Sequence, residues 1–496
     1  MTNIATQLSV LAVLALIFRS VYRLYFSPLS KFPGPRLAAL TSAYEAYYDC
    51  FKDGGGRYYV EIARMHDEYG PIVRINPWEL HIRDPEWSDV YKVARRASKS
   101  RWFYQFLGTA ENAFGSESAD VHRRRRDALQ PYFSATAVAR HTPEIERLVS
   151  KLVARLFALR GTGAVVCLSD GFRALATDVA TAFAFRRPFG HLDVPDFERA
   201  GNAAVRRLGT LGLLNRHLNG WVLTFLRFVP PGVALRLSPA SLGQLAVVVN
   251  EELQSPGKFV EIGAAETNVI RQILNSDLPA EDKSPWRVKE EASSVTLAGT
   301  ETTGSILAVI VFCLLSEPEK AARLREEIGQ AYSRYGRSPV YQELKELSYL
   351  TGVVNEGLRI DSPSGRFPRY DPKHDMSYKD WVIPKGTHVS ITQNDISFSP
   401  DIFPDPHNFL PERWSDEAEN KRIAKYFNPF GRGTRNCIGM EIALIEMYLA
   451  LGRLFAPDVD FTMKLYDCDR ENDVELFHDY FSPFPRSYKG VNVAVW

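Results

Sequence analysis

The chain has 496 residues, with 60 Lys and Arg against 59 Asp and Glu, and a formal net charge of +1 at pH 7. So even a balance gives no global reason to bind nucleic acid or an acidic partner, while 45% hydrophobic residues are enough for a sizeable core. Five cysteines at positions 50, 167, 313, 437 and 468 make no paired framework, which fits a reducing compartment. Length alone suggests about three domains, yet no linker, internal repeat or low-complexity tract divides the chain.

Residues Ile4–Phe18 are apolar and uncharged, and Arg19 and Arg23 follow. As a helix this run reaches ~22 Å, short of a ~30 Å hydrocarbon core unless the flanking arginines snorkel. A cleaved signal peptide would put positive charge before the run and a small-residue cleavage site after it, and neither is present. Residues 1–26 therefore read as a short membrane anchor. Arg19, Arg23, Lys31 and Arg36 all come after the apolar run, so the positive-inside rule leaves the body cytosolic. Prolines at 28, 33 and 35 forbid helix and make 27–36 a stiff hinge, with 37–496 as one large domain.

Within the body, Tyr69–Ile82 has short β-branched runs broken by Gly-Pro and Asn-Pro, which predicts a β-hairpin. A second hairpin is expected over Trp381–Ile391 around Pro384-Lys-Gly386. Between them helix dominates from Ala139 to Val260, with an amphipathic stretch over Pro143–Leu159. The fold class is mostly α with small β-sheets. Two apolar, aromatic stretches are candidates for a ligand pocket, Trp102–Leu107 and Leu211–Leu235 with Trp221, Phe225 and Phe228; the second could equally face a bilayer.

His122 and Arg126 bracket the run His-Arg-Arg-Arg-Arg. Basic runs are most often solvated helix faces, but residues four apart share a face, so these two point together. Glu290–Leu315 is nearly apolar all round and predicts a buried central helix. Its exceptions lie in Ala298-Gly-Thr-Glu-Thr-Thr303. Gly299 removes bulk beside the helix, Thr302 can bond back to the carbonyl four residues earlier, and Glu301 is costly there without a partner or a task. Glu356 and Arg359 share a helical face, a pairing common on any helix, and Arg413 follows in Phe409-Leu-Pro-Glu-Arg-Trp414.

Near the C-terminus stands Phe430-Gly-Arg-Gly-Thr-Arg-Asn-Cys-Ile-Gly439. Glycines at 431, 433 and 439 let the backbone turn tightly and approach a flat ligand. Amides of that turn and Arg435 would favour the thiolate of Cys437, the form that ligates metal. A lone cysteine is usually a buried structural thiol. Here one sulfur with no second cysteine nearby excludes zinc and iron–sulfur sets and points to a metal whose other positions are filled, as porphyrin fills haem iron.

This segment resembles the haem-binding signature of the cytochrome P450 family at every defined position, and the resemblance extends over nearly the whole chain. It implies the cytochrome P450 fold with an N-terminal anchor, and haem b with Cys437 as axial ligand. It further implies that Arg435, Arg126, His122 and Arg369 hold the haem propionates, with Arg366 a rival for the last place. Phe430 shields the sulfur; Thr302 and Glu301 are the oxygen-activating alcohol and acid. Glu356, Arg359 and Arg413 form a structural triad, in which Trp414 replaces the commoner Phe. The proline-rich segment resembles the hinge of microsomal members, which sit in the endoplasmic reticulum membrane on a single anchor. It implies electrons from NADPH through NADPH-cytochrome P450 reductase, docking on the arginines around 123–125.

The combination of PLSKFPGPRLAAL with YGPIVRINPWELHIRDPEW looks like fungal members of secondary metabolism, notably the trichodiene oxygenase-like group. The expected activity is a monooxygenase acting on a lipophilic terpenoid or polyketide-derived molecule. Two other classes stand beside it: a haem-thiolate isomerase or dehydratase working without a reductase, and a non-catalytic haem sensor or membrane scaffold. The alcohol of Thr302 counts against the first of these.

Overall fold

The computed structural model describes residues 2–107, 111–226, 228, 240–254, 268–361, 363 and 365–496, and opens with helix α1 (Thr2–Val21). The described side chains of α1 are almost all exposed. Apolar side chains left in water cost about 25 cal/mol per Å², so this surface suits lipid. The segment after it is tied down. Arg23 Nη1 donates to Leu40 O (2.6 Å), Arg74 Nη1 to Arg23 O (2.8 Å), and Arg74 N to Pro33 O (2.7 Å). With Leu29 and Phe32 buried, the proline-rich segment is docked on the body.

Two helices, α2 (Ala43–Cys50) and α3 (Tyr58–Tyr69), lead into strands β1 (Ile72–Asn76) and β2 (Glu79–Ile82). These pair antiparallel with an irregularity between Arg74 and Asn76, so the first expected hairpin forms. Every residue of both strands is buried, which matches their dense β-branched and aliphatic content. Strand β3 (Ser98–Lys99) closes the far edge of the same sheet, while β4 (Val165–Cys167) lies in another.

The second expected hairpin does not form. Strands β5 (Arg369–Tyr370), β6 (Met376–Tyr378), β7 (Trp381–Ile383) and β8 (His388–Ser390) divide their pairing. β7 returns to β6, whereas β8 runs parallel to β2 and antiparallel to β5, giving the order β1-β2-β8-β5-β3. The turn at Gly386 exists, with Thr387 N donating to Pro384 O (3.1 Å), but its two arms enter different sheets. Near the C-terminus β9 (Met463–Leu465) and β12 (Asn492–Val495) join β4, and β10 (His478–Tyr480) with β11 (Ser482–Phe484) makes a tight hairpin.

Helices α4 (Arg101–Tyr104), α5 (Ala119–Leu129), α6 (Thr142–Phe157), α7 (Leu168–Phe185) and α8 (Arg199–His217) precede the long α9 (Pro285–Ser316). After α9 come α10 (Ser348–Ile360) and α11 (Met440–Leu454). Helix α9 is the central element expected, longer by about a turn at its start, and it packs most intimately on α7. A Cβ on Gly304 would lie 2.9 Å from Arg173 Cα, and one on Gly299 would lie 3.0 Å from the Ala180 Cβ. The room left by Gly299 is thus taken by a neighbouring helix. These glycines set how closely two helix axes approach.

Between α3 and the sheet lies a buried pair of imidazoles, His66 Nε2 to His81 Nδ1 at 2.7 Å. Burial holds both below the ordinary 6.5, His66 at about 4 and His81 well below its usual value. The unfolded chain therefore takes up protons that the fold refuses. This contribution to stability is complete above pH 6.5 and is lost as pH falls toward 4. At about 1.4 kcal/mol per pH unit, His66 alone accounts for roughly 3 kcal/mol. We expect unfolding in denaturant at pH 7 and at pH 4.5 to show this loss, and His66→Gln to show a shallower one; an unchanged slope would contradict the assignment.

Candidate functional site

The Cys437 loop is shaped by one close approach to a distant segment and one bond of its own. Gly433 has φ +72°, and a Cβ there would meet Tyr91 O at 2.5 Å, so only glycine fits. Inside the loop Cys437 N donates to Phe430 O (2.8 Å), and α11 begins three residues after the cysteine. The thiol has accessible surface, yet enough protein surrounds it that burial pushes its titration upward. This is the situation of a side chain set in the wall of a recess. The Gly439 amide and the Arg126 charge pull in the opposite direction. The expectation that Arg435 plays this part is corrected: its guanidinium reaches the carbonyls of Ser116 (2.7 Å) and Glu117 (2.8 Å).

Arg435 instead joins a concentration of positive charge. Burial first, then Arg435, Lys99, Arg126 and Arg369, drive the His122 imidazole down to about 2. Burial, then Arg435 and Arg369, hold the Lys99 ammonium well below its ordinary value. Arg126 bonds Asn436 O (2.6 Å) and Oδ1 (2.8 Å); Lys99 Nζ bonds Phe114 O (2.7 Å) and lies 4.0 Å from the Tyr104 ring centre. None of these five groups makes an ion pair with a carboxylate among the described residues, and the buried Arg369 Nε and Tyr104 hydroxyl have no partner. Like charges gathered this way call for an anion. Lys99 was not singled out from the sequence, because a lone Ser-Lys-Ser carries no pattern.

Of the two rival arginines, Arg366 is committed elsewhere, to Glu79 (Nε to Oε1, 2.9 Å) and Glu45. That leaves Arg369 in the cluster. Glu45, Asp49 and His217 place ligand atoms within 4.8 Å of one another, but Arg216 and Arg366 sit on the same carboxylates and balance them as ion pairs. The arginine run also differs from expectation. Arg124 Nε and Arg125 Nε both reach Asp282 (2.8 Å each), so of the residues expected to offer a docking face Arg123 is left exposed and unengaged by that acid.

On α9 the two neighbours Thr302 and Glu301 face different partners. Thr302 Oγ1 donates to Ala298 O (2.8 Å) and is half-buried. Glu301 takes a bidentate ion pair from Arg173 on α7, Nη2 to Oε1 at 2.8 Å and Nε to Oε2 at 3.0 Å. Nearby Asp361 is buried, and burial pushes its carboxyl up to about 7, moderated by a bond with Ser305 and by Arg173.

The structure brings Glu356, Arg359 and Arg413 together. Glu356 accepts from Arg359 (2.7 and 3.0 Å), Arg413 Nε (3.1 Å), Leu410 N (3.1 Å) and Trp414 Nε1 (2.9 Å). The Trp414 ring then packs at a tilt against Phe427, 4.5 Å between centres, which carries the network to the start of the cysteine loop. Of the aromatic stretches, Phe103 and Phe106 line a cleft with Leu213, whereas Trp221, Phe225 and Phe228 are exposed; 227 and 229–235 lie outside the described residues.

One accessible cysteine at the head of a helix, with cations close by that pair with no carboxylate among the described residues, is a donor set suited to a flat metal cofactor bearing two carboxylates. Haem fits that description. The family model for cytochrome P450 matches residues 50–473. A cytochrome P450 monooxygenase of Ascocoryne sarcoides, MO6277, is 36% identical over 94% of this chain and 93% of its own. Cytochrome P450 monooxygenase sdnE of Sordaria araneosa is 35% identical over 100% and 98%. Tryptophan 6-hydroxylase fscE of Fusarium equiseti is 33% identical over 100% and 99%. The chain belongs to the cytochrome P450 family. Its general function is that of a monooxygenase, and the family implies haem on a cysteine thiolate.

Removing the charge of Glu356 leaves two guanidinium groups without their counter-charge. We expect Glu356→Gln to cost roughly 3–5 kcal/mol, and Trp414→Phe, which deletes a single bond to a charged acceptor, about 1.5–3 kcal/mol. Urea unfolding of both variants checks the order; a silent Trp414→Phe would show that its indole bond contributes nothing.

Proposed function

We propose that the protein is a membrane-anchored haem-thiolate monooxygenase that inserts one oxygen atom from dioxygen into a lipophilic terpenoid or polyketide-derived metabolite, with electrons from NADPH through a cytochrome P450 reductase. Residues 1–26 are the anchor, 27–36 the hinge and 37–496 the catalytic domain, held on the endoplasmic reticulum membrane with the body cytosolic. The observation that carries the reading is the accessible Cys437 beside Lys99, His122, Arg126, Arg369 and Arg435, none of them paired with a carboxylate among the described residues. The exposed Trp221, Phe225 and Phe228 favour contact with the bilayer, from which such a substrate would enter. The names of the relatives, all monooxygenases or a hydroxylase, support oxidation over isomerisation.

Bound haem supplies the activation of dioxygen and the transfer of one oxygen atom. The chain supplies the rest. Cys437 provides the thiolate ligand and Phe430 shields it; Arg435, Arg369, Arg126, His122 and Lys99 seat the propionates. Thr302 holds a proton at Oγ1, donated at present to Ala298 O. Glu301 is the acid behind it and must let go of Arg173 before a proton can pass from its carboxyl. Glu356, Arg359 and Arg413 keep the loop before the cysteine in place. Exposed Arg123 is the remaining part of the docking face for an acidic reductase.

NADPH consumption with reductase and a panel of lipophilic terpenoids, followed by mass spectrometry of products, tests this directly. Coupled formation of a product one oxygen heavier is expected; rearranged product without NADPH use would favour the isomerase, and no product the sensor. Thr302→Ala should release more peroxide per NADPH consumed, and unchanged coupling would remove Thr302 from proton control. Cys437→Ala should abolish the thiolate-type spectrum of the reduced carbon monoxide complex; its retention would remove the assigned ligand.

A further inference from the structure

An open groove of about 580 Å³ lies between the residues just before α3 and the start of β10, lined by Asp53, Gly54, Arg57, Phe477, His478 and Arg486, with Tyr488 on its rim. Gly54 keeps its floor open. A Cβ there would lie 3.3 Å from His478 Cε1.

Positive charge collects around this groove. The guanidinium of Arg57 lies 3.9 Å from the centre of the Phe477 ring and that of Arg486 4.4 Å from the same centre, so one ring sets their spacing. A third guanidinium, from Arg206 on α8, lies 3.9 Å from the centre of the Tyr488 ring. Burial first, then the charges of Arg57, Arg206 and Arg486, hold the His478 imidazole below its ordinary value, against the pull of its bond to Gly55 O. All three arginines thus act on one point.

Little negative charge answers them. Arg57 Nη1 bonds Tyr59 Oη (3.0 Å) and Phe477 O, Arg206 Nη1 bonds Ser487 O (3.2 Å), and neither makes an ion pair with a carboxylate among the described residues. Arg486 has Glu471 at 3.9 Å, with both side chains more than half exposed, a pairing that contributes little. The one acid among the described lining residues, Asp53, has Lys52 at 3.7 Å. The complement to such a wall is an anion with several oxygens, and phosphate is the anion that guanidinium groups meet best.

The surroundings decide where that phosphate comes from. Phe51 is exposed immediately before Lys52, and Tyr488 is exposed on the rim. His217 at the end of α8 bonds Asp49 on α2 (2.9 Å), so the exposed Trp221 and Phe225 follow the same junction from which Phe51 emerges. A soluble anion gains nothing from exposed aromatic side chains, whereas a phospholipid offers its phosphate to the groove and its acyl chains to the apolar face.

We propose that this groove is a headgroup subsite for an anionic phospholipid, with Arg57 and Arg486 as its phosphate donors. This rests on the reading of residues 1–26 as an anchor that holds the body against a membrane. The test titrates the full-length haem-loaded protein in nonionic detergent micelles with dihexanoylphosphatidate, dihexanoylphosphatidylcholine and inorganic phosphate, and reads affinity by calorimetry.

Phosphatidate should bind roughly tenfold more tightly than phosphatidylcholine, with the gap shrinking as salt rises. Arg57→Gln with Arg486→Gln should erase the gap; Arg334→Gln with Lys345→Gln, which removes equal charge from another exposed surface, should keep it. Equal affinities for the two lipids, a preference that survives the first pair of changes, or one lost equally with the second, would overturn the subsite. Inorganic phosphate binding as tightly as phosphatidate would overturn its lipid occupant. Should the double variant fail to fold, Arg486→Gln alone, at an exposed position, should still narrow the gap, and an unchanged gap would overturn the assignment. Sedimentation with neutral phosphatidylcholine vesicles reports on the anchor separately: no sedimentation would sink the anchor and leave a measured phosphatidate preference standing, and sedimentation without that preference would do the reverse.

Discussion

Four basic side chains and a buried imidazole brought together without a carboxylate among the described residues are the constraint on which the rest of this structure turns. Lys99 arrives from the edge strand β3, His122 and Arg126 from α5, Arg369 from β5 and Arg435 from the cysteine loop, so three layers of the fold converge on one point. Burial, with mutual repulsion added to it, holds His122 neutral and lowers Lys99 and Arg435. Cations gathered without a counter-charge favour an anion, which is the sense in which the family's haem, with its two carboxylates, suits this corner.

The other side of the site is organised by the contact between α7 and α9. Gly304 lets Arg173 come within van der Waals distance of the helix backbone, and from there its guanidinium claims Glu301. The same closeness fixes Thr302 one residue on, turned away from that pair. Acid and alcohol are therefore adjacent in sequence but hold different partners, Glu301 the Arg173 guanidinium and Thr302 the Ala298 carbonyl. Asp361, at the end of α10 and near the same guanidinium, adds a second buried carboxyl to the group.

What could be read from the residues alone was whatever is encoded at short, fixed offsets. The cysteine loop, the first hairpin and the buried central helix are of this kind, since glycine turns and hydrophobic period act within a few residues. What escaped depends on partners far apart: Arg173 for Glu301 across 128 positions, and Thr392 for His81 across 311. The hairpin expected at Trp381–Ile391 misread a real turn, because local chemistry fixes the bend but not which sheet each arm joins. Trp414 was taken as a tolerated stand-in for Phe; its indole N–H has an acceptor that no spacing rule reveals. Arg366 and Arg369 could be separated only by seeing that Glu45 and Glu79 occupy the former.

The network around Arg366 joins elements that lie far apart in the sequence. Glu45, Asp49 and Glu79 share Arg366 and Arg216, so the end of α8 is pinned through charge to α2 and to the sheet. Arg216 Nη2 pairs with both Asp49 and Glu45, and Arg366 bridges Glu45 and Glu79, so neither guanidinium can leave without stranding a buried carboxylate. Dismantling such a buried pair costs several kcal/mol, which makes this corner a rigid joint between helix and sheet.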